Sequence, residues 1–198
     1  MKISIVSGSA RSQSQSIKVA RFIESQLAGH TTYLCSLANN PLPLWDEGVW
    51  SGTPLWQEKW APIKQELQSS DAFIFVAPEW GGMVPAALKN FFLLCSAHEV
   101  GHKPGLIVSV SSTRNGAYPI AELRMSSYKN NRLCYIPEHL IVRDVEQVLN
   151  EGEPRSEDDR YIRLRLNYCL EVLKQYAEAL GQVRKSGVID HKTFPNGM

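Results

Sequence analysis

The chain has 198 residues, 43% of them hydrophobic, which suits one domain able to bury a core without disulfide or metal staples. Its formal net charge of +1 gives no long-range field for a phosphate backbone, so nucleic acid is not an expected partner. The four cysteines, Cys35, Cys95, Cys134 and Cys169, are scattered with no CxxC pair, which removes the spacing signal for a metal or disulfide framework and fits the reducing cytoplasm.

The first apolar run, Ile3 to Val6, stops at Ser7-Gly8-Ser9 and is followed by Arg11, too short for the core of a signal peptide. It reads instead as a strand, Lys2–Ser7, and the helical stripe Ile17, Ala20, Ile23 and Leu27 follows within Ser14–Ala28. A second strand is predicted at Thr31–Ser36 and a helix at Pro54–Gln68. The third strand, Ala72–Ala77, is apolar on both faces, and a helix from Pro85 to Ala97 comes next, with Pro85 placed for its first turn. A fourth strand at Gly105–Ser111, a helix at Ala117–Lys129 and a fifth strand at Cys134–Val142 continue the alternation. The last helix, Asp158–Ala179, is expected to end at Gly181. No stretch approaches the roughly 18 apolar residues of a membrane span. The pattern predicts an α/β fold: a doubly wound five-stranded parallel sheet with helices on both faces, in a single domain over 1–190. The tail, 191–198, has little apolar content of its own and is expected to lack order in isolation.

Ligands of such sheets sit beyond the carboxyl ends of the strands, so the loops there carry the functional reading. The segment Ser7-Gly8-Ser9-Ala10-Arg11-Ser12-Gln13-Ser14-Gln15-Ser16 leads from the first strand into the first helix. Helix N-termini present unpaired amides and a positive dipole end, and the hydroxyls and Arg11 add donors and charge. Helix capping alone needs one serine, and this loop has five. It lacks the lysine of a GxxxxGK[ST] triphosphate loop and all but one glycine of GxGxxG, so an isolated monophosphate is the best fit. Gly8 is expected to let the chain turn tightly.

Beyond the third strand runs Pro78-Glu79-Trp80-Gly81-Gly82-Met83-Val84-Pro85-Ala86-Ala87-Leu88-Lys89-Asn90. Ser7-Gly8-Ser9-Ala10-Arg11 with Ser14 and Ser16 resembles a G-S-x-R-x-x-S loop, and the second segment resembles P-E-Y-N-x-x-x-P-x-x-L-K-N without gaps. Together they resemble the NADPH-dependent FMN reductase family, which is flavodoxin-like and includes quinone, azo-dye and chromate reductases. The resemblance covers about residues 1–180. It implies that Ser9, Arg11, Ser14, Ser16 and the Ile17 amide hold the FMN phosphate. It further implies that Pro78, Glu79, Trp80 and Gly81 line the isoalloxazine ring, mainly through backbone groups. A third, thinner match, Ser111-Ser112-Thr113-Arg114-Asn115-Gly116-Ala117, implies that Ser111 and Gly116 border the flavin from the other side. The expected activity is electron transfer from NAD(P)H through FMN to a small-molecule acceptor such as a quinone or free flavin, in a cytoplasmic homodimer or homotetramer. No side-chain nucleophile or general base is required, and no catalytic residue is assigned. An electron carrier without NAD(P)H turnover, and a flavin-free relative acting as an interaction protein, are the alternative readings. The chain departs from the family at Trp80-Gly81, in place of Tyr-Asn, which removes the asparagine's hydrogen bonds. Gly81-Gly82 is expected to loosen the loop.

Four of the five tryptophans, Trp45, Trp50, Trp56 and Trp60, fall in one stretch and read either as core or as a subunit interface. Phe91, Phe92, Leu93 and Leu94 read as core, and Lys89 as a solvated charge. Lys103 and Arg114 read as solvated charges or as contacts for a nicotinamide-dinucleotide phosphate. The histidines show no ligand spacing; His98-Glu99-Val100-Gly101-His102 lies past a helix end, and no metal site is predicted.

Overall fold

A computed structural model describes residues 1–197; Met198, the last residue of the expected tail, lies outside the described residues. The strands are β1 (Lys2–Ser7), β2 (Thr31–Ser36), β3 (Ala72–Pro78), β4 (Pro104–Val110) and β5 (Cys134–Val142). They form one parallel sheet in the order β2-β1-β3-β4-β5, with Lys2 opposite Thr31, Ile3 opposite Ala72 and Phe73 opposite Gly105. The sheet is flavodoxin-like. Every residue of β3 and β4 is buried, which is why these runs are apolar on both faces.

On one face α1 (Gln15–Ser25) lays Val19, Ala20 and Ile23 over Ile3, Ile5 and Ile74, beside the later helix α8 (Glu157–Lys185) with Leu166, Leu170 and Leu173. The other face carries the short helices α2 (Gly48–Ser51), α3 (Pro54–Lys59), α4 (Ala61–Gln68), α5 (Ala86–Leu94), α6 (Ala97–Val100) and α7 (Ala117–Met125). Its core is aromatic, with Phe73, Phe75, Phe91, Phe92, Trp56 and Trp60 in contact.

Several helices differ from their predicted spans. The helix expected over Pro54–Gln68 breaks at Trp60, because Pro62 has no amide to give to the turn before it. Both Trp56 and Trp60 stay buried across the break, whereas Trp50 is 78% exposed and meets half-buried Trp45 edge to face at 5.1 Å, so the tryptophan stretch divides between core and surface. The helix expected to reach Ala97 stops at Leu94, with Cys95 extended. A capping box restarts the chain as α6: Ser96 accepts from the His98 amide at 3.2 Å, and Glu99 accepts from the Ser96 amide at 2.6 Å. Glu99 is thereby buried in structural bonds, and among the described residues no group of three or more His, Cys, Asp or Glu could hold a metal. No helix among the described residues is long and apolar enough to cross a membrane. The fourth predicted helix ends at Met125, before extended Ser126 and left-handed Ser127. α8 runs past Gly181 to Lys185; the glycine that terminates it is Gly187, which has a φ of 77°. Beyond α8 the tail meets the connection before β5, where Arg132 bonds the His191 ring and the Phe194 carbonyl.

The entry to α8 is fixed by a buried carboxylate. Asp159 accepts from the Leu149 amide at 2.9 Å, the Arg155 amide at 3.1 Å and Arg163 at 3.0 Å, so it ties the loop after β5 to the helix. Burial opposes its ionisation, but Arg163 and the two amides outweigh that and hold its pKa below the usual carboxylate range. A carboxylate depressed in the folded state contributes stability above its unfolded pKa of about 3.9 and loses it as pH falls through the folded value. Asp159→Ala is expected to cost about 3–5 kcal/mol at neutral pH. The deficit relative to wild type should narrow below about pH 4, which urea denaturation from pH 3 to 7 will check.

Candidate functional site

Three loops leave the carboxyl ends of β1, β3 and β4, which are neighbours in the sheet, and the eleven residues singled out in the sequence lie on them, in the helix turns they enter or, for Pro78, at the end of β3. The first loop passes from β1 into α1. Gly8 donates to the Val76 carbonyl of β3 at 2.9 Å, and a Cβ at Gly8 would stand 2.8 Å from Leu88 Cδ2 and 3.1 Å from that carbonyl. Gly8 does not have a positive φ among the described backbone, so its glycine is required by close approach rather than by the tight turn expected. Ser9 is buried, and its Oγ accepts from the Arg11 amide at 3.3 Å.

Ser14 is the N-cap of α1, with its Oγ accepting from the Ile17 amide at 3.2 Å, and Ser16 is buried within the first turn. One serine thus does cap the helix, which leaves the others for a different task. Two further atoms escaped sequence reading: Ser7 Oγ and Gln15 Oε1 are buried with no hydrogen-bond partner among the described residues. The loop opens on a cavity of about 840 Å³, lined by Arg11, Ser12, Gln13, Ser14, Ile17 and Lys18 among others. Of the cations, Lys18 is committed elsewhere: its Nζ donates to the Val148 carbonyl at 2.9 Å, to Asn150 Oδ1 at 3.0 Å and to the Val145 carbonyl. Burial pushes its pKa down, against the attraction of Asp159 and Glu146. Arg11 is exposed at the cavity and makes no ion pair among the described residues.

The second loop follows buried Pro78, the last residue of β3, and begins at half-buried Glu79, whose amide donates to the Val110 carbonyl at 2.9 Å. Trp80 and Met83 then exchange two backbone hydrogen bonds of 3.0 Å each, around Gly81 and Gly82 at φ of 57° and 72°. Two successive positive φ angles inside a doubly bonded four-residue turn are the type I′ arrangement, which glycine adopts without strain. The Gly81-Gly82 pair therefore closes this loop rather than loosening it, and it presents Trp80 with 41% of its surface exposed.

The third loop is joined to the second by a side chain. Glu79 Oε2 accepts from the Gly116 amide at 2.8 Å and the Tyr118 amide at 3.3 Å, at the entrance of α7. Gly116 is the N-cap of α7 and has no side chain to satisfy those amides, so the carboxylate of the neighbouring loop does so. Ser111 is pinned between Val142 and Val145 by backbone bonds, and its Oγ accepts from the Thr113 amide at 3.2 Å. Arg114 is exposed in this loop. Lys103 is not near it: it precedes β4 at the opposite, amino end of the strands, buried, with its ammonium donating to the Leu67, Gln68 and Glu99 carbonyls at 3.0, 2.8 and 2.8 Å. Burial pushes its pKa down to about 8, and the charge is neither solvated nor available to a ligand at the loops.

The chain is similar to known proteins over most of its length. A family model described as NADPH-dependent FMN reductase matches residues 1–147. A quinone reductase of Pseudomonas putida is 36% identical over 102 residues, 52% of this chain and 50% of that one, so the chain spans half the length of that relative. A 2-hydroxy-1,4-benzoquinone reductase from Burkholderia sp. is 30% identical over 166 residues, 81% of this chain and 88% of that one. Among solved structures, the flavoenzyme NAD(P)H:(acceptor) oxidoreductase FerB of Paracoccus denitrificans superposes with a TM-score of 0.73 at 19% identity, over 90% of this chain and 97% of that one.

Gly116 is where the loop geometry is least forgiving. Its φ is 108°, and a Cβ there would stand 2.6 Å from Ile141 Cγ2. Gly116→Ala is expected to destabilise the fold by about 1–3 kcal/mol, read as a lower urea midpoint at unchanged slope.

Proposed function

Because the chain belongs to the NADPH-dependent FMN reductase family, we propose that it is an FMN-dependent oxidoreductase that passes electrons from NAD(P)H to a small-molecule acceptor such as a quinone or free flavin. The observation that carries this reading is the anion cradle at the mouth of α1 standing beside the closed Trp80–Met83 turn, across neighbouring strands β1 and β3.

The residues present fit FMN. Gln15, which lines the cavity, has its Oε1 buried without a partner among the described residues, a condition that costs roughly 1–3 kcal/mol and that a polar ligand relieves. The missing side chain at Gly8 keeps the cradle tight against β3. Ser9, Ser14, Ser16 and the Ile17 amide would hold the phosphate, with Arg11 supplying the balancing charge; the Ile17 amide would share its donation with Ser14. Pro78, Glu79, Trp80 and Gly81 would border the ring on one side, and Ser111 and Gly116 on the other. FMN, when bound, supplies the hydride and electron transfer, and the protein contributes position, exclusion of water and electrostatics. Trp80 offers that ring an apolar face on a turn that is already closed.

Burial raises the pKa of all four thiols, that of Cys35 to about 12, so they stay protonated and unreactive, which favours flavin chemistry over thiol chemistry. The free cysteines also support a cytoplasmic location. Exposed Trp50 and Leu44, at 78% and 79%, support a homodimer or homotetramer.

The test is titration of the apoprotein with FMN, followed by reduction with NADPH or NADH and reoxidation by a quinone. Bleaching of bound flavin by either nicotinamide is the expected result; bound flavin that neither reduces would sink the reductase reading. Arg11→Ala is expected to weaken FMN binding by about 1.5–3 kcal/mol while the melting temperature holds, as measured in the same titration.

A further inference from the structure

The turn that presents Trp80 is held by two carboxylates reaching in opposite directions. Glu79, just before the turn, bonds the amides at the start of α7. Glu122, inside α7, reaches back: its Oε2 accepts from the Val84 amide, just after the turn, at 2.7 Å, and its Oε1 pairs with Lys89 of α5 at 2.5 Å. Between these two points the turn's backbone bonds, among the described residues, are the two between Trp80 and Met83, and both side chains are too exposed for packing to fix them. Burial works against the Glu122 charge, but Lys89 and the Val84 amide outweigh it and hold its pKa below the usual range, so the clamp is ionised at neutral pH.

The element to which the turn is clamped is itself fixed. Leu123 and Ile120 of α7 are buried, and Arg124 Nη2 donates to the Ile136 and Pro137 carbonyls of β5 at 2.8 Å each. We propose that Glu122, held by Lys89, is a positioning residue that fixes the Trp80–Met83 turn against α7 and so sets the width of the slot for the cofactor ring. As far as the ring is concerned, this rests on the reading given under Proposed function. A wall held in place before binding loses no freedom when the ligand arrives, so the clamp should appear as affinity.

The experiment compares wild type, Glu122→Ala and Glu122→Gln by amide hydrogen exchange in the apoprotein, by FMN titration and by thermal melting. Glu122→Ala is expected to speed exchange at Met83 and Val84 and to weaken FMN binding, each about tenfold, with other protected amides and the melting temperature unchanged. Glu122→Gln keeps an acceptor for the Val84 amide and should retain most of both. Unchanged exchange at these amides overturns the proposal, and so does faster exchange at unchanged FMN affinity. A wild-type protein that binds no FMN overturns the functional reading instead, and exchange at Met83 and Val84 then supports or overturns the clamp by itself.

Discussion

With β1 seated between β2 and β3, the chain leaves β1 toward one face of the sheet and leaves β3 toward the other. α1 covers the first face and α5 the second, so their connecting loops diverge and a crevice opens between the two strand ends. Both helices that start there have N-terminal amides facing the crevice edge. Only one has a capping side chain of its own: Ser14 caps α1, whereas Pro85 stands before α5 with none. The strand order thus fixes where an anion is welcome before any side chain is chosen.

The two sequence motifs meet at that point. Leu88, from the second motif, packs where a Cβ of Gly8, from the first, would have to be, and the Gly8 amide closes on the carbonyl of Val76 in β3. Glycine at one position and leucine at the other are therefore one packing solution read from two distant segments. Asn90 extends the same logic. It is buried, accepts from the Trp45 amide at 2.8 Å and donates to the Pro43 carbonyl at 2.7 Å, so the Lys-Asn end of the motif anchors the loop after β2.

The central strands were legible because burial on both faces leaves continuous apolar runs, the half-exposed edge strands β2 and β5 were legible as short β-rich runs, and Lys2–Ser7, Thr31–Ser36 and Cys134–Val142 have the predicted bounds. The loops were legible as motifs but not as geometry. Pro62 marked the helix break in plain sight, yet amphipathic periodicity ran across it and suggested one helix. Lys103 reads as a surface charge because only tertiary packing brings three carbonyls to its ammonium. Glu122 carried no signal at all, since its partners lie 33 and 38 positions away and no local spacing relates them.

Trp80-Gly81-Gly82 shows how a departure from a family pattern can keep the architecture. An asparagine in such a loop braces it through side-chain hydrogen bonds, which a glycine cannot make. Two glycines permit a left-handed pair of residues, and the backbone then braces itself through two bonds between Trp80 and Met83. The brace here is main chain, and the turn is tied to its surroundings by carboxylates outside it, Glu79 before and Glu122 after. A self-closed turn with external anchors can shift as a rigid unit. The identity of the anchoring residues, rather than of the turn, is therefore what sets where the indole stands.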